Sequence, residues 1–327
     1  MQETHSRSVH QRTLARPVSF VGIGLHTGRK ATLTIRPGTD AGGLFFQRTD
    51  VAAGTGLIAA RWYNVVDTTL STVIGNGHDV TVATVEHLMA ALQGCGVDSA
   101  LIEIDGPEVP IMDGSAEPFA STIEKFGTRP LPRPRNAIWV QRPVEVRDGE
   151  KYALLLPYRG QRITVSIDFP DTAIGAQTCS VELVNEAFRN DVARARTFGF
   201  SEQIEALRRG GLVRGGSLKN AILVDGERIV NPEGLRFRDE FVRHKVLDAL
   251  GDMALAGAPV IAHFYAYKAG HGLNQKLIRK LFEEHSAWSW IGVDDYNRMM
   301  GIGLQAAGVP PVVEELPPAT RKQARER

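Results

Sequence analysis

The segment Phe241-Val242-Arg243-His244-Lys245-Val246-Leu247-Asp248-Ala249-Leu250-Gly251-Asp252 sets His244, Asp248 and Asp252 at successive i+4 positions. On a helix these three line one face, and the opposite side is apolar. An imidazole and a carboxylate one turn apart can grip a single divalent cation, and a mixed nitrogen/oxygen set suits zinc in a hydrolytic site. A solvated polar face would show the same spacing. In Thr84-Val85-Glu86-His87-Leu88 the surrounding pattern predicts burial, so a Glu beside a His requires pairing, protonation or a nearby metal. His87 would then be a third ligand and Glu86 a base. The alternative is a solvent-facing pair at a helix N-terminus, where Glu complements the dipole. Lys268-Ala269-Gly270-His271-Gly272-Leu273-Asn274 places a histidine between glycines where a strand meets a helix. A helix N-terminus lowers a histidine's pKa, whereas a carboxylate such as Asp252 would keep it protonated for general-acid work. A plain capping histidine remains the simpler reading of that stretch.

Other segments carry weaker chemistry. Gly22-Ile23-Gly24-Leu25-His26-Thr27-Gly28 lacks both the P-loop ending and the G-x-G-x-x-G spacing, so it reads as a tight turn between strands. Thr197-Phe198-Gly199-Phe200 and Ile167-Asp168-Phe169-Pro170 put aromatics beside polar groups, suited either to a core or to stacking a base. His5, His10, His78, His263 and His285 have no partner at ligand spacing and read as structural or surface residues.

The elements that must position these residues are legible in the apolar periodicity. Ala31–Ile35, Ala100–Ile104, Ala153–Leu156, Ile163–Asp168 and Val260–Tyr267 read as strands. Val85, Leu88, Met89 and Leu92 share a helical face that stops at Gly94 and Gly96, and another helix should start near Ser115. Later helices are expected from about Asp239 to Ala256, and finally one with Leu273, Leu277, Ile278 and Leu281 buried. The alternating prolines of Arg129-Pro130-Leu131-Pro132-Arg133-Pro134 remove backbone donors, so neither helix nor sheet is expected to cross them. They divide the chain into residues 1–128, a linker at 129–134, residues 135–305 and a polar tail at 306–327 that should fray. Each half has strands, a helix with a histidine near its start, a strand and a closing helix. This is a weak internal duplication, giving an α+β fold of two similar domains with a cleft between them.

Composition bounds the rest. A length of 327 residues exceeds the usual single domain, and 43% hydrophobic with 23% charged residues excludes wholesale disorder. Thirty-eight Lys+Arg against 37 Asp+Glu argue against a nucleic-acid partner. The apolar stretch from Met253 to Ala262 is too short to span a bilayer, and no secretory h-region follows the N-terminus. Cys95 and Cys179 stand alone, outside any C-x-x-C, which fits a reducing cytoplasm. A monomeric, intracellular globular protein is expected, with no stable membrane insertion.

Taken in order, Thr84–Leu88, Ile111-Met112-Asp113-Gly114-Ser115, Ala195-Arg196-Thr197-Phe198-Gly199-Phe200, Gly234-Leu235-Arg236-Phe237, Phe241–Asp252 and Gly270-His271 resemble the UDP-3-O-acyl-N-acetylglucosamine deacetylase family, zinc amidases of lipid A biosynthesis. The resemblance runs from about Arg12 to about Ile291. It implies helices sandwiched between two outer β-sheets. It also implies zinc held by His87, His244 and Asp248, Glu86 as general base, and His271, oriented by Asp252, as general acid. Lys245 and Thr197 would stabilise the oxyanion. Phe169 and Lys268 would lie near the UDP group, and His26 and Lys245 near the diphosphate or sugar. Leu25, Phe198 and Phe200 would join the substrate contacts, and an insertion at about 199–217 with Ile204, Leu207, Leu212 and Val213 would admit the fatty acyl chain. The implied partner is a small UDP-linked, acylated amino sugar, with transient inner-membrane contact. A non-catalytic nucleotide-sugar or lipid binder, or a zinc hydrolase of another acyl amide, are the alternatives.

Overall fold

The computed structural model describes residues 8–39, 42–184 and 186–301. The 306–327 tail lies outside them. Among the described residues, six α-helices alternate with strands: α1 (Glu86–Gly94), α2 (Glu117–Phe126), α3 (Ser201–Arg209), α4 (Glu240–Ala254), α5 (His271–Glu283) and α6 (Val293–Met299). The fold is α+β, as expected. Strict apolar alternation makes Lys30–Pro37 a strand that buries Ala31, Leu33 and Ile35 on one face. It belongs to a five-stranded sheet ordered Val18–Ile23, Lys30–Pro37, Ser99–Ile104, Gly43–Arg48, Leu57–Ala59. In the seven-stranded sheet, Val260–Tyr267 is central. It pairs antiparallel with Lys151–Leu156 and parallel with Gln161–Phe169 and Asn136–Val140. Its residues from Val260 to Phe264 are all buried, so it reads as a continuous apolar run rather than an alternating one.

The helices join these sheets. α2 packs on Val18–Ile23, α4 and α5 pack on strands of the seven-stranded sheet, and α1 packs against both α2 and α4. One apolar cluster, including Leu88, Met89, Leu92, Phe119, Phe241, Leu247, Leu277 and Leu281, runs through all of these layers. None of the described helices is long and apolar enough to cross a membrane.

Two expectations are corrected. Thr128–Pro134 is a strand, paired antiparallel with His10–Leu14. Prolines at every second position turn all their missing donors toward one edge, which leaves the donors of Arg129, Leu131 and Arg133 on the other. α5 is also not the last helix, because α6 follows and packs Val293 and Tyr296 beside Ala137 and Ile261.

α4 also departs from a half-solvated helix, since only Arg243 and Lys245 of its fifteen residues are not buried. Its polar side faces α1 rather than water. The approach is closest at Gly251, where an added Cβ would lie 2.0 Å from the Glu86 carbonyl oxygen. Helix propensity alone favours alanine there by ~1 kcal/mol. Gly251→Ala should nevertheless lose stability, by about 2–3 kcal/mol from overpacking. Thermal melting checks this: a variant that melts at or above the wild-type temperature contradicts the close approach.

Candidate metal centre

α1 and α4 bring His87, His244 and Asp248 together, at 5%, 1% and 4% exposure, which rules out the solvated-face alternative. Asp248 Oδ1 lies 3.6 Å from His87 Nε2 and 3.3 Å from His244 Nε2. The two rings meet nearly perpendicular, at 86°. Tetrahedral bonds of ~2.0–2.1 Å put neighbouring donor atoms roughly 3.3–3.4 Å apart, so this spacing suits one small dication. Among the described residues this is the one His/Cys/Asp/Glu group close enough to share an ion.

The donor chemistry agrees. Asp248 Oδ1 is buried with no hydrogen-bond partner, while Oδ2 accepts from Lys245 Nζ at 2.8 Å. An orphaned, fully desolvated carboxylate oxygen needs a cation. His244 Nδ1 donates to the Ala195 carbonyl at 3.0 Å, which fixes the tautomer and leaves the Nε2 lone pair for a metal. Burial drives the His244 pKa down to about 3, outweighing the pull of Asp248, so the ring is a neutral ligand. Burial alone would raise Asp248, but the neighbouring His244 and Lys245 hold it well below the ordinary carboxylate range.

Glu86, at 3% exposure, stands beside the triad rather than in water. Burial raises its pKa, against the opposing influence of His271 and His87. Its Oε2 accepts the Thr72 N–H at 3.0 Å, and its Oε1 lies 3.9 Å from His271 Nε2. His271 opens α5 from the extended Gly270. The carboxylate foreseen beside this ring is in place. Burial disfavours the imidazolium, but Asp252 at 2.9 Å from Nδ1, helped by Glu86 and Asp248, raises the pKa to about 10. Asp252 is 0% exposed, and its oxygens also accept from Thr72 Oγ1 at 2.5 Å and Asn274 Nδ2 at 2.8 Å.

The remaining residues sit around this cluster to different degrees. Lys245 Nζ, besides binding Asp248, lies 5.5 Å over the Phe198 ring. Phe198 in turn meets Phe169, Phe200, Phe241 and the His244 ring. Thr197 is clamped through its N–H to Gly114 and its carbonyl to Ile222. Lys268 is bound to Glu150 and Asp168 on the strand that carries Phe169. The Gly22–Gly28 segment is the expected strand-to-strand turn. Burial lowers the pKa of His26, neither of whose ring nitrogens finds a partner. Leu25 and His26 carbonyls accept from Gly215 and Arg214, next to Val213. Ile204 is half-buried on α3, which packs on Phe198–Phe200. No hydrogen bond or ring contact joins Ile204 or Val213 to the triad among the described residues.

Several functional supports had no signal in sequence spacing. Buried Arg196 binds Glu240 at 2.8 Å and the Gly234 carbonyl at 2.7 Å, which ties the Ala195 carbonyl to the start of α4. Glu108 accepts from the N–H groups of His26 and Thr27 and from the hydroxyls of Thr27 and Thr84. Asp113 and Arg236, from two motifs without evident chemistry, pair with each other at 2.8 Å.

His244→Ala should abolish stoichiometric metal binding, and full retention by metal analysis would contradict the ligand assignment. In metal-free protein, His271 should titrate near pH 10 by NMR, well above its ordinary 6.5. Being raised, it contributes stability that is complete below 6.5 and is lost as pH rises through about 10. Asp252→Asn should move the titration well down from about 10, since the largest influence opposing burial is removed. An unmoved titration would disprove the pairing.

Comparison with known proteins follows the same lines. The family model LpxC, UDP-3-O-acyl N-acetylglycosamine deacetylase, matches residues 11–283. The chain is 48% identical over 302 residues to the UDP-3-O-acyl-N-acetylglucosamine deacetylase of Myxococcus xanthus (strain DK1622), covering 92% of this chain and 95% of that protein. It is 49% identical over 278 residues to the protein of the same name from Phenylobacterium zucineum (strain HLK1), covering 85% and 95%. The like-named protein of Geobacter sp. (strain M21) is 47% identical over 298 residues, covering 90% and 97%. With the family model spanning most of the chain and its relatives aligned nearly end to end, this protein belongs to the UDP-3-O-acyl N-acetylglycosamine deacetylase family.

Proposed function

We propose that the protein is a zinc-dependent deacetylase. It would hydrolyse the N-acetyl group of UDP-3-O-(3-hydroxyacyl)-N-acetylglucosamine to the free amine and acetate, in lipid A biosynthesis. The observation that carries the chemistry is the orphaned Asp248 Oδ1 between two imidazole nitrogens, with a carboxylate and a third imidazole alongside. Family membership carries the substrate. We further read residues 1–128 and 135–305 as two structural units meeting at this centre, in the cytoplasm.

An amide demands an activated nucleophile, a stabilised oxyanion and a protonated leaving amine. Zinc held by His87, His244 and Asp248 would supply Lewis acidity, lowering a water's pKa toward ~7 and polarising the carbonyl. Glu86 Oε1, the oxygen left without a hydrogen bond, takes the proton of the attacking water. Its buried, raised pKa makes it a stronger base than an exposed carboxylate. His271 Nε2, held protonated by Asp252 on the far nitrogen, delivers a proton to the departing sugar amine. Lys245 and Thr197 hold the developing oxyanion, at about 3 kcal/mol for one such donor. Phe169 and Lys268 contact the UDP group, His26 and Lys245 the diphosphate or sugar, and Ile204 and Val213 the acyl chain, with Leu25, Phe198 and Phe200 as further substrate contacts. A protein that merely bound a nucleotide sugar or a lipid would have no need of a buried base beside the triad.

The test is acetate release from the UDP-sugar together with metal analysis. Glu86→Ala should keep one metal per chain and lose ~10²–10⁴-fold in turnover. Undiminished turnover would refute the base assignment. His271→Gln should lower kcat and remove the alkaline limb of the pH profile.

A further inference from the structure

The chain between the strands Val65–Asp67 and Val73–Gly75 delivers Thr72 into the contact between α1 and α4, where it is 0% exposed. Three of its atoms are engaged there. Its hydroxyl donates to Asp252 Oδ1 at 2.5 Å, its N–H donates to Glu86 Oε2 at 3.0 Å, and its carbonyl accepts from Val85 at 3.3 Å. Thr72 is therefore bonded to both carboxylates that serve the proton transfers, although it lies 14 residues from one and 180 from the other.

We propose that Thr72 is a positioning residue for the acid–base pair. Its hydroxyl acts on His271 through Asp252, and its amide selects the free oxygen of Glu86. This rests on the reading that Glu86 and His271 move the protons. A carboxylate torsion is broad and nearly two-fold, so donors to one oxygen alone do not hold Asp252 against rotation. Asp252 Oδ2 faces His271 Nδ1 and Asn274, and the donor to Oδ1 is Thr72. Without that hydroxyl, a fully buried carboxylate oxygen loses its donor and Asp252 is free to rotate, which slackens its hold on His271. On the other side, the Thr72 amide occupies Glu86 Oε2 and leaves Oε1 facing His271 Nε2 at 3.9 Å. A threonine suits the post because its branched Cβ stiffens χ1 and aims the hydroxyl.

The experiment uses the zinc-loaded enzyme with the UDP-sugar substrate. Thr72→Val keeps the shape and the amide and removes the hydroxyl. It should lower kcat about 10- to 100-fold, the weight of a hydrogen bond to a charged group, with KM and zinc content within about two-fold. Thr72→Ser should recover kcat to within about three-fold of wild type. In a His271→Gln background, Thr72→Val should cost less than about three-fold more, because residues acting as one unit are non-additive. A wild-type kcat in Thr72→Val, or the same fold-loss in both backgrounds, overturns the proposal. Should Thr72→Val fail to fold, Thr72→Ser and Thr72→Ala both lack the methyl and differ only in the hydroxyl. Equal kcat in those two overturns it as well. Wild-type kcat in His271→Gln alone would instead overturn the assignment of the acid, whatever the Thr72 variants do.

Discussion

One carboxylate oxygen, Asp248 Oδ1, sits in a fully buried position without a donor and within 3.6 Å of two imidazole nitrogens. Such an atom is tolerable only as half of an ion pair or as a metal ligand, because its desolvation is otherwise uncompensated. Much of the surrounding structure is arranged to keep it there. α1 and α4 must approach closely enough for His87 to reach it, and the small residue Gly251 allows that approach against the Glu86 carbonyl. Ala195 must hold His244 in the right tautomer, and Arg196 with Glu240 holds Ala195.

The charges around this centre are deployed as compensating pairs. Asp248 is met by Lys245, Asp252 by His271, and Arg196 by Glu240 and Glu233. The neutral donor Thr72 satisfies the other oxygen of Asp252, and Asn274 shares Oδ2 with His271. Buried ion pairs contribute little net stability, yet removing one partner strands the other. The network thus tolerates little substitution.

Much of the secondary structure was readable in advance. Val260–Tyr267 and the Asp239–Ala256 helix follow from apolar runs and periodicity, and Gly94 and Gly96 mark the end of α1. The proline segment is less legible, because missing donors do not bar a strand when all of them face one edge. The candidate ligands were visible as residue types at i+4 spacing, but that spacing could not tell a solvated stripe from a buried one. The burial of α4 on nearly all sides follows from what packs against it.

By itself, the sequence determined which elements form and which side chains can bind a metal or carry a proton, since these follow from local periodicity and side-chain chemistry. The meeting of His87 with His244 and Asp248, the dominance of Asp252 over burial at His271, and the presence of Thr72 and Arg196 in the site come from the folded packing. Distance and dielectric govern those outcomes. Both are set by the packing of α1 against α4, which joins residues far apart along the chain, so no local pattern encodes them.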